Sequence, residues 1–402
     1  MNKIEVQRKK RRRKELLLYF LTVLFSVSLL IWGHKVVTKD LTIFNNSDID
    51  QEIYKAKVVK ILDRVVDEYS YDENTTEKNV WISFEAELLS GENKGDSVKA
   101  VQSIDSSLPF NGTVEIKEGD KILLIYTSIE GMEEIIEQEF QFMEFVRTDK
   151  LLILGVLFIL FLLLFGHKKG VNTLLSLGFT CVAVFAVFIP AILSGKNIYV
   201  SSILICVYTI VMTYLIINGY NRKTFAACLG CLGGIALSGL LTVIMDKILV
   251  LTGILSEESI YLTYLPTEVS MDLKAIIFAA IIIGAMGAIM DVAMSISSSL
   301  WEVKDTAEAA SFDMLLRSGM NIGRDIMGTM ANTLILAYIG SSLSVILLLT
   351  VYSTSLLYLL NLEMIIVEIL QALVGSFGIL LTIPLTSFIC SIIYTKIRRN
   401  RY

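Results

Sequence analysis

"AIIFAAIIIGAMGAIMDVAMSISSSLWEV" (Ala275–Val303) is apolar for its whole length except for one aspartate, a late serine cluster and a glutamate next to its end. About 20 apolar residues suffice to cross ~30 Å of hydrocarbon, so this stretch predicts a membrane-spanning helix over Leu273–Leu300. At helical spacing Gly284, Ala288, Asp291, Ser295, Ser298 and Glu302 fall on one small, polar face, with Ile, Met and Val around the rest. Trp301 suits an interface anchor, and Asp291 then lies ~15 Å up the helix from it. A carboxylate at that depth costs about 3 kcal/mol if it faces lipid. The face is therefore expected to point into the protein.

The rest of the chain agrees with a membrane assignment. Of 402 residues 54% are hydrophobic, and the mean hydropathy is +0.64, well above that of a soluble domain. The net charge of −5 is a sum over two membrane faces and identifies no partner. Residues 1–15 form a basic tail containing "RKKRRRK" (Arg8–Lys14), and 16–33 a signal-anchor helix whose basic flank is held in the cytoplasm. The adjoining helix accounts for that charge without nucleic acid. Residues 34–149 are polar and acid-rich. "YKAKVVKIL" (Tyr54–Leu62) and "NVWISFEAELL" (Asn79–Leu89) alternate as strands, "SGENKGD" (Ser90–Asp96) reads as a hairpin turn, and Gly112–Thr127 predicts two more strands around Gly119–Asp120. The expectation is an extracytoplasmic β-rich domain of about five strands, a small barrel or sandwich.

Seven further spans fill 150–395: Leu151–Gly166, Val171–Leu193, Ile198–Ile217, Phe225–Ile248, Leu273–Leu300, Ile326–Leu349 and Val374–Tyr394. Basic loops at His167–Lys169, Asn221–Lys223 and the closing tail 396–402 alternate with the acidic Ser256–Asp272 loop. With the anchor this predicts an α-helical polytopic protein of about eight transmembrane helices, both termini cytoplasmic, in a bacterial inner membrane. Lys304–Asn321 reads as a cytoplasmic connector with an interfacial helix, and Thr354–Gly375, carrying Glu363 and Glu368, as an interfacial or re-entrant helix.

"SGMNIGRDIMGTMANTLILAYIG" (Ser318–Gly340) enters the next span, with Gly323 permitting a turn and Asp325 in the first helical turn. Asp325, Gly328, Thr329 and Asn332 share a face. The simplest packing sets Asp291, Ser295 and Ser298 against Arg324, Thr329 and Asn332 as a seam, either structural or a wet path for ions. Asp291, Ser295, Ser298, Arg324, Asp325, Thr329 and Asn332 are the candidates for ion or proton coupling, with Glu363 and Glu368 behind them. Gly230, Gly234 and Gly239 in "LGCLGGIALSG", and Gly284, are candidates for close helix packing. Cys181, Cys206, Cys228, Cys231 and Cys390 all lie in apolar runs, and the histidines, His34 and His167, sit just outside such runs. No metal or cofactor is expected.

Across Gly284–Leu343 the motifs "GAIMDVAMSISSSLWEV" and "SGMNIGRDIMGTMANTLILAYIGSSL" resemble the YibE/F-like family of bacterial multi-pass membrane proteins. The anchor, the β-rich insertion and "GSFGILLTIPLTS" (Gly375–Ser387) are similar in layout to that family. The resemblance implies a lipid-embedded helical body and, as partner, a sister YibE/F-like protein or a second copy. A weaker likeness of layout links the chain to the SecD/SecF and resistance-nodulation-division bundles, which pair an acidic transmembrane residue with a Thr-rich helix entry.

Two functions are expected from these readings. One is an ion-gradient-coupled transporter or export accessory with Asp291 as the coupling group. The alternative is a non-transporting scaffold or sensor whose β-rich domain binds a partner or a cell-wall component. An enzyme is not expected, because Ser/His and metal-based schemes have nothing to build on and Asp325 lies too near the interface to pair with Asp291.

Overall fold

The computed structural model describes residues 3–39, 52–72, 75–105, 114–126, 140–264, 271–307, 310–352 and 355–396. The chain divides into two units, one comprising Asn45–Phe161 and the other Met1–Phe44 with Leu162–Tyr402. The basic tail at 397–402 and the acidic 265–270 lie outside the described residues.

The first unit is built on β1 (Glu52–Asp72), β2 (Thr75–Leu88), β3 (Ser97–Asp105), β4 (Lys121–Tyr126) and β5 (Phe140–Phe145). They close a barrel in the order β1-β2-β3-β5-β4, with β4 returning antiparallel to β1 and β5 parallel to β3. That is the connectivity of a Greek-key barrel of the OB type. Strict alternation in β2 makes the core: Ile82, Phe84, Ala86 and Leu88 are buried, while Trp81 and Glu87 face out. Gly91 (φ 90°) and Gly95 (φ 100°) supply the left-handed backbone of the β2–β3 turn.

The second strand expected around Gly119 is absent among the described residues. Instead the buried Gln102 of β3 acts as its side-chain substitute. Its Nε2 donates to the Val114 carbonyl and its Oε1 accepts from Ile116 N, both at 3.0 Å. Gln102→Leu strands both backbone groups inside the barrel, and denaturation of the chain should show the β unit losing about 3 kcal/mol. β5, the parallel partner of β3, is the strand that the sequence reading missed.

The second unit is helical. Its elements are α1 (Lys3–Thr38), α2 (Thr148–Val182, which begins in the first unit), a π-helical turn (Ala183–Phe188), α3 (Ile189–Leu193), α4 (Ile198–Asn218), α5 (Arg222–Leu249), α6 (Glu257–Thr263), α7 (Leu273–Thr306), α8 (Phe312–Ser341), α9 (Leu343–Tyr352), α10 (Leu356–Leu359) and α11 (Glu363–Thr395). Among the described residues six helices are long and apolar enough to cross a membrane. α8 and α9, bent by 60° across Ser342, are together apolar enough to form either a broken span or a re-entrant loop. His167 (φ 46°, ψ −124°) breaks α2, and bare Gly170 lets the chain pass over the Leu162 carbonyl.

Two boundaries differ from the sequence reading. The expected connector at 304–321 is not a separate interfacial helix. α7 continues to Thr306 and α8 begins at Phe312, where Ser311 Oγ accepts from Met314 N at 3.2 Å. The reason lies in spacing: Leu315, Gly319 and Gly323 recur every fourth residue and are all buried, so this segment has a packing face of its own. Gly323 is helical and lies against Ile383, and Asp325 stands well inside the helix. Likewise 363–375 is no re-entrant piece, because α11 runs unbroken from Glu363 to Thr395 with Pro384 inside it.

α11 packs against α5, α7 and α8. Its Ser376, Thr382, Thr386, Ser387 and Ser391 are buried, and all but Thr386 donate to the carbonyl four residues back. Gly230 and Gly234 of α5 lie on Thr386 and Thr382, Gly378 lies on Ser238, and Gly319 of α8 lies on Ser387. Small residues on both sides bring the backbones together where lipid offers no hydrophobic drive for association. Gly239 abuts Phe278, at 3.3 Å from where its Cβ would stand.

Candidate functional site

The site is built on α7, capped by Asp272, whose Oδ1 accepts from Ala275 N at 3.2 Å. α7 packs against α4, α5, α8 and α11 and is the most enclosed of the spans. One stripe escapes burial: Ala280, Gly284, Gly287, Asp291, Ser295 and Glu302 are exposed, and Ala288 and Ser298 half-buried. The single-faced arrangement follows the 3.6-residue period. Beside Asp291, the Tyr214 hydroxyl of α4 donates to the Met290 carbonyl at 2.6 Å, and the Asp291 carboxylate lies within electrostatic reach of Tyr214 and Cys231.

α8 flanks the other edge of the stripe. A Cβ on Gly284 would stand 2.5 Å from the Tyr338 hydroxyl, and one on Gly319 3.0 Å from Leu300. These contacts run the two helices antiparallel, placing Asp291 level with 328–331 and Arg324 level with Ser295–Ser298. The helices are neighbours, yet the expected seam is not closed. Arg324, Asp325, Gly328, Thr329 and Asn332 are all exposed. The bonds they do make are local: Thr329 Oγ1 donates to Ile326 O at 2.9 Å, and Arg324 Nη1 to Asn321 Oδ1 at 3.5 Å. Among the described residues no hydrogen bond or ion pair joins them to Asp291, Ser295 or Ser298. The physical reason is α11, which takes the glycine face of α8 and turns its polar edge outward. What remains exposed on α7, beside α8, is a small-residue stripe carrying a carboxylate that has no hydrogen-bond or ion-pair partner among the described residues.

Ser297, between the two expected serines, is the one that bonds across helices. Its Oγ donates to Lys223 O at 2.8 Å and lies 2.7 Å from the Tyr394 hydroxyl, which ties α5, α7 and α11 together. It was missed because it sits one helical step off the polar stripe. Tyr338 was also missed: its hydroxyl is buried against Gly284 with no hydrogen-bond partner among the described residues.

Glu363 has a structural partner. Its carboxylate accepts from Thr252 N at 2.7 Å, Thr252 Oγ1 at 2.7 Å and Gly253 N at 2.6 Å, clasping the loop after α5 to the start of α11. Glu363→Ala should cost about 2 kcal/mol in a detergent thermal melt, because charge-assisted bonds to two backbone amides are lost.

Among the described residues no group of three or more His, Cys, Asp or Glu is placed to hold a metal. No curated protein and no solved structure matches the chain. The model of the YibE/F-like protein family matches residues 154–396, which takes in α7, α8 and Asp291, and the chain belongs to that family.

Proposed function

We propose that this membrane protein is an ion-gradient-coupled transporter or export accessory in which Asp291 binds the coupling ion. The observation that carries the reading is a carboxylate with no partner among the described residues, on the small-residue stripe that the most enclosed helix leaves exposed, which we read as the wall of a water-filled groove beside α8. An ionised carboxylate at this depth must stay hydrated, at a cost of about 3 kcal/mol otherwise, whereas the protonated or cation-paired form can pass through an apolar state. Ion binding thereby selects which conformations are allowed. Ser295, Ser298, Thr329 and Asn332 line or flank the groove and supply neutral ligands.

Two placements belong to the same proposal. Counting α2 as two spans, on either side of His167, gives eight. The basic residues at Lys168–Lys169, Arg222–Lys223 and Lys304 then mark the cytoplasmic end of a bacterial inner membrane, with the β barrel outside. Proteoliposomes with an imposed proton or sodium gradient provide the test. Substrate-independent uptake of the coupling ion should exceed that of protein-free vesicles and collapse with an ionophore. Equal ion uptake with and without the protein contradicts the reading.

A second reading, a scaffold or sensor, is favoured by the barrel surface. Trp81 is 43% exposed and pairs across the strands with Val65, also 45% exposed. An aromatic–aliphatic patch of this kind suits a partner or a wall polymer. Deletion of residues 40–145 abolishing function while Asp291→Asn leaves it intact would select this reading.

A further inference from the structure

A cavity of about 710 Å³ opens between α1, α2 and the last turn of α4. One side is hydrocarbon, from Leu16, Leu18 and Leu215. The other carries Lys168, Asn172 and Asn218, and among the described residues no carboxylate lines it. The hydrogen bonds already made there use up acceptors. The Tyr19 hydroxyl donates to Asn172 Oδ1 at 3.0 Å, and Asn221 Nδ2 donates to the Asn218 carbonyl at 2.7 Å. Lys168 contributes an ammonium, and the Asn172 and Asn218 side-chain amides contribute N–H groups able to donate to an anion, beside the amide and hydroxyl oxygens of the same wall. Lys168 forms no ion pair among the described residues. Arg13 and Lys14, both exposed, precede Leu16 and Leu18 on α1, and Lys169 and Arg222 are exposed nearby in the fold.

A donor-rich cationic wall facing an apolar wall calls for a ligand with an anionic head and a hydrocarbon tail. We propose that this cavity binds an acidic phospholipid, its phosphate held by Lys168 and the Asn172 and Asn218 amides and its acyl chain laid along Leu16, Leu18 and Leu215. The apolar wall distinguishes this from a site for free phosphate, which would gain nothing there. The clustered charge raises the local concentration of anionic headgroups, and Lys168 supplies the specific contact. The inference stands apart from transport and from Asp291.

The test is native mass spectrometry of the full chain in neutral detergent, titrated with phosphatidylglycerol, with phosphatidylcholine of the same chains, or with inorganic phosphate. The wild type should bind one phosphatidylglycerol saturably and about fivefold or more tightly than phosphatidylcholine, the effect of about one lysine contact. Lys168→Ala should remove that preference, while Lys247→Ala, an exposed lysine in the last turn of α5, should keep it. Leu18→Trp should weaken both lipids by filling the apolar side. Equal affinity for the two lipids, or a preference that survives Lys168→Ala, overturns the proposal. So does displacement of the lipid by an equal concentration of phosphate, which would make the cavity a soluble-anion site.

Discussion

Asp291→Asn should insert and fold as the wild type does, and should reduce gradient-driven flux to the level of protein-free vesicles. The amide is isosteric with the carboxylate, and among the described residues Asp291 makes no hydrogen bond or ion pair whose loss would cost stability. Gly287 and Ser295, one helical turn to either side of it on the same face, are exposed and do not require a charge to pack. The substitution therefore separates chemistry from architecture. An amide neither takes up a proton near neutral pH nor balances a bound cation, so the groove loses the carboxylate that lies deepest along α7. Thermal melts of the two proteins should coincide. Retained flux in Asp291→Asn would remove Asp291 from the mechanism.

The largest structural loss should come from Gly234→Leu. The missing side chain of Gly234 is what lets α5 lie on Thr382 of α11, and Ile289 of α7 stands 3.2 Å from where its Cβ would be. A leucine there must force apart three helices that meet at one point. Overpacking a well-fitted core costs about 1–3 kcal/mol, and more where backbones set the spacing, so a loss of about 3 kcal/mol or of folded yield altogether is expected. Gly178→Leu on α2 is the control, because nothing lies within 4 Å of that position. A melt in detergent should show the first variant falling well below the second. Equal behaviour would mean that the α5–α11 contact is not a fixed point of the bundle.

Much of the architecture was legible because helical and strand periods leave marks in sequence. The alternation in "ISFEAEL" puts Ile82, Phe84, Ala86 and Leu88 on one side of β2, and the structure buries those four. The face of α7 that carries Gly284, Asp291 and Ser295 is one stripe, as its spacing requires. What the stripe faces could not be read. That depends on which helix occupies the space beside it, and α11, an apolar run dotted with Ser and Thr, gave no hint that it would pack on the glycines of both α5 and α8. Hydroxyls bonded to their own helix look apolar to a neighbour, so Thr382 and Ser387 act as small packing residues although they are polar by type. Charge also misled: Asp325 and Gly323 suggested a helix start, whereas the quieter Ser311 caps α8. Gln102 was illegible for a different reason, since its amide replaces a strand bond that only the folded barrel brings within reach.

The account turns on whether the groove at residue 291 holds water. Asp291→Cys, in a chain whose five native cysteines are replaced, allows a direct measurement. Only a thiolate reacts with a charged methanethiosulfonate, and a thiol ionises only where water reaches it. The account predicts rapid modification of Asp291→Cys by the charged reagent in proteoliposomes. Modification by lipid-soluble maleimide alone, with the charged reagent inert, would place residue 291 against acyl chains and contradict the account.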